Sequence, residues 1–223
     1  MNILNLYNKV DKLQVTKESE ETKREILEIL QRENLTNGKV NKGITSAFKR
    51  LVKKTGGVRP VFEQISINDK GNYIFCSGYS LIDFGSNIDN IPVELQANVE
   101  NVIKKYVKPS MSYETLMYQN AINTEISIKD IEILLKYNKT AKHKVLYQLN
   151  NVYLDPQLLF DTIICTGNKT KDKINVEIGE PKAPLNINFE NCKMGVLPIN
   201  MSYAKDKDYQ DEMFKKLINK ECE

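Results

Sequence analysis

Apolar positions along this 223-residue chain recur with a period that shifts between about 3.6 and 2, and the shifts mark out its elements. Ile3, Leu6, Val10 and Leu13 follow a 3-4-3 spacing, and Ile26, Leu27 and Leu30 carry a helical pattern up to Asn37-Gly38. Residues 1–37 therefore read as one or two helices whose charged middle, Lys17 to Glu25, is a solvated face. The clearest helix comes next. Ile44, Ala47, Phe48, Leu51 and Val52 fall at i, i+3, i+4, i+7 and i+8, Lys49, Arg50, Lys53 and Lys54 fill the opposite side, and Gly56-Gly57 stops it. Residues 60–67, a turn at Asn68 to Gly71, residues 72–77 and, after Gly78, residues 79–84 are rich in β-branched and aromatic side chains and predict a β-meander.

Leu95, Val99, Val102, Ile103 and Tyr106 share one helical face, so a helix is expected over Ile91 to Tyr106, with Lys104, Lys105 and Lys108 complementing its C-terminal dipole and Pro109 closing it. Two shorter helical patterns follow, Tyr113 to Ala121 and Ile128 to Tyr137, the second opened by Ser127 with Asp130 three residues on. They read as an inserted pair. Val145, Tyr147 and Leu149 alternate as a strand. Asp155-Pro156 then supplies an N-cap with proline at the first helical position, predicting a helix over 156–165 that ends near Gly167. Strands are expected at 173–180, 184–191 and 193–200, and a polar helical tail, carrying Met213, Phe214, Leu217 and Ile218, over 205–223.

Composition narrows the function classes. With 41% hydrophobic and 27% charged residues the chain can bury a real core, so a disordered tail is excluded. No apolar run approaches the 18 or so residues of a membrane span, and the first residues lack the apolar core of a secretory signal, so a cytoplasmic protein without membrane association is expected. The four cysteines are far apart and there is one histidine, which argues against a zinc site, a disulfide framework or another metal centre. The net charge of +3 is unevenly placed: residues 38–108 hold 11 basic and 6 acidic side chains, whereas the segments on either side are each close to neutral. Only four of the 32 basic residues are arginine, so non-specific attraction to a phosphate backbone fits better than bidentate reading of bases. A gene of biased base composition would produce the same lysine excess.

Catalytic chemistry finds no foothold. The glycines form neither a dinucleotide fingerprint nor a P-loop, His143 sits in the polar run Lys139 to Lys144 as a solvated loop residue, and Asp155 and Asp161 follow helix-end or surface logic. No cofactor is implied, and an enzyme with a site in the 88–142 stretch is the least favoured class. What remains is a basic-faced helix packed on strands, whose Lys49, Arg50, Lys53 and Lys54 are either phosphate contacts or the wet side of an amphipathic helix.

Two blocks carry a family resemblance. Residues 56–84, with Arg59-Pro60, Gly71, Gly78 and Leu81, resemble the part of the bacterial sliding clamp of replicative DNA polymerase in which a basic helix precedes an Arg-Pro-led strand, a glycine turn and a strand ending in Asp-Gly-x-Arg-Leu. Residues 147–201, with Asn151, Tyr153, Leu154, Pro184, Leu197 and Pro198, resemble the clamp's last half-domain. The resemblance lies in these two blocks, and its elements come in the family's order. Ser77 and Ser80 stand where the family has Asp and Arg, Asn200 stands for the arginine of its terminal Met-Pro-x-Arg-Leu, and the chain runs on about twenty residues further.

The resemblance implies an α+β, DNA-clamp-like domain, two helices packed on antiparallel sheets, over residues 38–203. A helical insertion at about 88–142, an N-terminal helical segment (1–37) and a C-terminal helical tail (204–223) would be additions. It implies a non-enzymatic protein associated with double-stranded DNA or replication proteins. Lys42, Lys49, Arg50, Lys53, Lys54, Lys104 and Lys105 are the candidate nucleic-acid contacts. Gly78, Tyr79, Leu81, Leu197, Pro198 and Ile199 are the positions that correspond to the family's groove for short hydrophobic peptides. Clamps close with six domains, so a homo-oligomeric ring of a one-domain chain would need six copies, and of a two-domain chain three. The rival reading is a protein-interaction adaptor, of phage or mobile-element type, that keeps the fold without encircling DNA.

Overall fold

The helical spacing of residues 44–52 and the alternation that follows it become a helix laid on a sheet. The computed structural model describes Lys23, Ile26 and residues 42–55, 64–100, 122–168, 172–179, 183–201 and 207–219. Helix α1 spans Lys42–Thr55. Ile44, Ala47, Phe48 and Leu51 are buried along one stripe, and the Phe48 ring tilts onto Phe75 with centroids 4.8 Å apart. The meander follows as β1 (Ile65–Ile67), β2 (Tyr73–Cys76) and β3 (Ser80–Asp83). Its first turn is tied by Asn68, whose Oδ1 accepts from the backbone N–H groups of Lys70 and Asn72 at 3.0 and 2.9 Å.

A second copy of this plan follows in the C-terminal half, ahead of the last helix. Helix α3 (Pro156–Cys165) leads into β8 (Lys173–Ile178), β9 (Leu185–Asn188) and β10 (Lys193–Val196). Asp155 caps α3 as expected, its Oδ1 accepting from the N–H groups of Gln157 and Leu158. Between the halves lie β4 (Val99–Glu100), β5 (Ile122–Ser127), helix α2 (Ile128–Asn138) and the hairpin of β6 (Tyr147–Leu149) with β7 (Val152–Leu154). Ser127 caps α2 by accepting from Asp130 N–H at 3.1 Å. Eight strands form one sheet in the order β4-β1-β2-β3-β10-β9-β8-β5, antiparallel throughout except where β4 runs beside β1. The third strands of the two meanders meet at its centre, Ile82 opposite Met194 and Leu81 opposite Gly195. The order thus reads the same from both edges inward, a repeat that sequence periodicity alone does not reveal.

Strand alternation puts Ile65, Phe75, Ile82, Met194, Ile187, Val176 and Ile126 on one face of this sheet, where they join the core with the buried side chains of α1, α2 and α3. α1 packs along α3, α3 along α2, and α2 against helix α4 (Lys207–Asn219). The expected α+β arrangement of two helices packed on antiparallel strands is the one formed. The terminal helix docks on the fold instead of trailing from it. Phe214 meets Tyr147 edge to face at 5.6 Å, and Gln210 accepts from Leu146 N–H at 2.8 Å while donating to the Lys144 carbonyl at 2.9 Å.

Two expectations need correction. No α-helix covers the described part of Ile91 to Tyr106: Ile88–Asn90 and Gln96–Asn98 are single 3-10 turns and Val99–Glu100 is extended. The Gln96 side chain donates to the carbonyls of Ile88 and Ile91, and pairing with β1 draws Val99 into the sheet. The 88–142 stretch supplies α2, but it also supplies the edge strands β4 and β5. Val152–Leu154, unassigned from periodicity, pairs with β6. The expected helix over Tyr113 to Ala121 lies outside the described residues, as does the N-terminal pair apart from Lys23 and Ile26, which are helical. Phe48→Ala empties the contact between α1 and β2 and is expected to cost about 3–5 kcal/mol, read as a fall in the urea midpoint.

Candidate functional site

The α1 face assigned to phosphate contact divides in two. Lys42, Lys49 and Lys53 are exposed, and none forms an ion pair with another described residue. Arg50 and Lys54 turn toward α3. Arg50 Nε donates to both oxygens of Asp161 at 3.2 and 2.9 Å and its Nη2 donates to Oδ1 at 2.6 Å, a forked contact on a carboxylate whose side chain is 2% exposed. Gln157 Nε2 adds a third donor and a fourth hydrogen bond at 3.0 Å. Lys54 pairs with Asp155. As residue numbers rise along α1 the partners fall along α3, so the two helices run antiparallel. Asp161, expected at the surface, is thus a buried acceptor, and the i, i+4 spacing of Arg50 and Lys54 serves the seam between the helices. The Asp161 hydrogen bonds raise the pKa of Arg50. Burial acts to raise that of Asp155, but the Lys54 ammonium and the Gln157 and Leu158 N–H groups outweigh it and hold the carboxyl below its ordinary value. Lys104 and Lys105 lie outside the described residues.

The second candidate set assembles at the turn between β2 and β3. Gly78 holds φ +79°, a left-handed conformation that a side chain would strain. Ser77 and Ser80 close the turn beneath it: their hydroxyls lie 2.8 Å apart and Ser80 N–H donates to Ser77 Oγ at 3.1 Å. Ser77 and Ser80, two of the three positions that depart from the charged pattern of the resemblance, therefore form a buried polar clasp. Tyr79 projects from this turn, 52% exposed, and its carbonyl accepts from Leu197 N–H at 2.8 Å. Ile199 N–H donates to the Tyr153 carbonyl at 2.8 Å. Among the described residues five large hydrophobic side chains are exposed, Ile26, Tyr79, Ile122, Leu197 and Ile199, and three of them stand on this one rim. Pro198 is half-buried between its exposed neighbours, and Leu81 is buried beside Ile74 on the sheet face away from the helices.

Tyr153 is the site residue whose position periodicity could not supply. Its carbonyl holds Ile199, and its hydroxyl donates to Asp211 of α4 at 2.5 Å, so one residue ties the rim to the terminal helix. Burial and the Asp211 carboxylate push the Tyr153 phenol up to about 12. The thiols of Cys76, Cys165 and Cys192 are all raised by burial, which disfavours the thiolate a nucleophile would need. Among the described residues no three His, Cys, Asp or Glu side chains gather as a cation site, and no helix is long and apolar enough to cross a membrane.

No family model matches the chain, and no curated protein matches it. Among solved structures it is similar to the Helicobacter pylori β clamp bound to a DNA ligase peptide, at 8% identity and a TM-score of 0.41, over 70% of this chain and 63% of that one. It is also similar to the DNA polymerase sliding clamp of Bacillus subtilis, at 11% identity and a TM-score of 0.39, over the same shares. The chain thus matches less than two thirds of the length of either clamp.

The depressed Asp155 pKa gives the helix seam a pH dependence. Its contribution is present above the ordinary carboxylate pKa of 3.8 and lost as the pH falls through the lower folded-state value. Asp155→Asn keeps a capping oxygen but loses the charge. Because both partners are partly solvated, it is expected to cost only about 0.5–1 kcal/mol at pH 7. The gap between its urea midpoint and that of the parent closes as the pH falls below about 4.

Proposed function

We propose that the protein is a non-enzymatic, clamp-like protein that associates with DNA or with replication proteins. The observation that carries this reading is the gathering of Tyr79, Leu197 and Ile199 on one rim, at positions where the resemblance expects a groove for hydrophobic peptides. Flanked by the half-buried Pro198, the rim offers apolar anchors on a backbone fixed by β-type hydrogen bonds, which suits capture of a short apolar segment. On the helical side, Lys42, Lys49 and Lys53 are the charges of α1 that remain for phosphates once Arg50 and Lys54 are engaged by Asp161 and Asp155.

The adaptor reading draws its support from that same engagement, because two of the five α1 cations are already paired with carboxylates of α3 and its cap. The two readings part on salt. Duplex binding should weaken with rising salt by a slope of about 0.9 per phosphate contact, and Lys42→Glu, Lys49→Glu and Lys53→Glu together should abolish it in a fluorescence anisotropy titration. Unchanged affinity would remove α1 from the interface. Tyr79→Ser with Leu197→Ser should abolish capture of a short hydrophobic peptide by the rim, read by calorimetry, while leaving DNA affinity intact. Salt-insensitive peptide binding together with no DNA affinity would make the protein an adaptor.

A further inference from the structure

A second acid-free, lysine-bearing stretch of the chain lies away from α1. Between Glu132 and Asp155 there is no acidic residue, and Lys136, Lys139, Lys142 and Lys144 fall within nine positions of one another, with His143 among them. All four lysines are exposed, as is His143, and no lysine of the four forms an ion pair with a described residue. A flexible tether would let such charges drift apart. Here the backbone is held instead. Asn138 closes the loop between α2 and β6 from inside, its Nδ2 donating to the Val145 carbonyl and its Oδ1 accepting from Val145 N–H, both at 2.8 Å. Gln210 of α4 closes it from outside through the Lys144 carbonyl and the Leu146 N–H. Tyr209 of α4 lies edge-on to the His143 ring at 6.2 Å. Four side-chain hydrogen bonds from two residues therefore fix a loop whose lysines repel one another, an arrangement that an anion relieves.

The position of the loop links it to α1. Tyr147, three residues after Lys144, pairs with Leu154, next to the Asp155 cap of α3, and Asp155 is the partner of Lys54 at the C-terminal end of α1. The loop and the basic end of α1 thus both converge on the N-terminal end of α3. None of the exposed large hydrophobic side chains belongs to the loop, so it has no apolar anchor for a lipid surface or a protein interface core, and its lysines are point charges suited to a phosphate backbone.

We propose that the last turn of α2 and the α2–β6 loop, with Lys136 on the helix and Lys139, Lys142 and Lys144 in the loop held by Asn138 and Gln210, form a second phosphate-backbone contact for duplex DNA. The inference rests on the DNA reading above and deepens it: α4 acts as the brace that keeps the contact in shape. Anisotropy titrations of a short mixed-sequence duplex over a salt series test it, with circular dichroism melts to show that each variant folds. Lys139→Glu, Lys142→Glu and Lys144→Glu together should raise Kd at least about tenfold and make the salt slope shallower by about 2.7. Gln210→Ala keeps every charge, so it should raise Kd several-fold with the salt slope unchanged. If the loop variant binds like the parent while the Lys42, Lys49 and Lys53 variant loses DNA, the loop assignment falls and the α1 reading stands. If the parent chain does not bind the duplex at all, both fall. Loss of binding to phosphatidylserine-containing vesicles with duplex affinity intact would overturn the proposal in favour of a membrane surface.

Discussion

Asp161 is the constraint around which the helical layer is built. A carboxylate 2% exposed is tolerable only with its oxygens satisfied, and Arg50 and Gln157 meet that demand with four hydrogen bonds. Arg50 reaches it from α1, 111 positions earlier in the chain. The forked geometry fixes the rotation and the register of α1 against α3 at once, because a guanidinium accepts little misalignment on a carboxylate. Lys54 and Asp155 repeat the tie one turn along. With the two helices locked antiparallel, the apolar stripes of both face the same sheet, and the remaining α1 lysines are turned to the outside.

The same lock explains why the sheet is continuous. Each helix is followed by a three-strand meander, so joining the helices brings the third strands β3 and β10 together as central neighbours. That pairing in turn creates the rim. Tyr79 leaves the turn at one end of β3, Leu197 follows β10, and the hydrogen bond between their backbones extends the ladder past the last strand residues. A partner seated there would lie on the seam between the two halves. It would also sense α4, because Tyr153 touches the rim with its carbonyl and α4 with its hydroxyl.

The terminal helix is therefore more than an appendage. Its Met213, Phe214, Leu217 and Ile218 pack against the core, while Gln210 and Asp211 hold the basic loop and Tyr153 respectively. Two surfaces of opposite chemistry, an apolar rim and a lysine-rich loop, are braced by consecutive residues of one helix.

Local chemistry determined what could be read from the sequence alone. The stripe of Ile44, Ala47, Phe48 and Leu51, the Asn68 turn, the Ser127 and Asp155 caps and the alternation of Ile174, Val176 and Ile178 are each set by neighbours within a few residues, and each took the form expected of it. The exposure of Tyr79, Leu197 and Ile199 was legible only as a likeness of motif, since an apolar residue at a turn is equally often buried. Tertiary structure decided the rest. Val99 left its helical pattern because the edge of β1 was open to it, and Arg50 and Lys54 turned toward α3 because that helix presented carboxylates. A charge or an apolar side chain carries no label for its partner. Where the partner lies more than a hundred residues away, only the packed fold brings the two within reach.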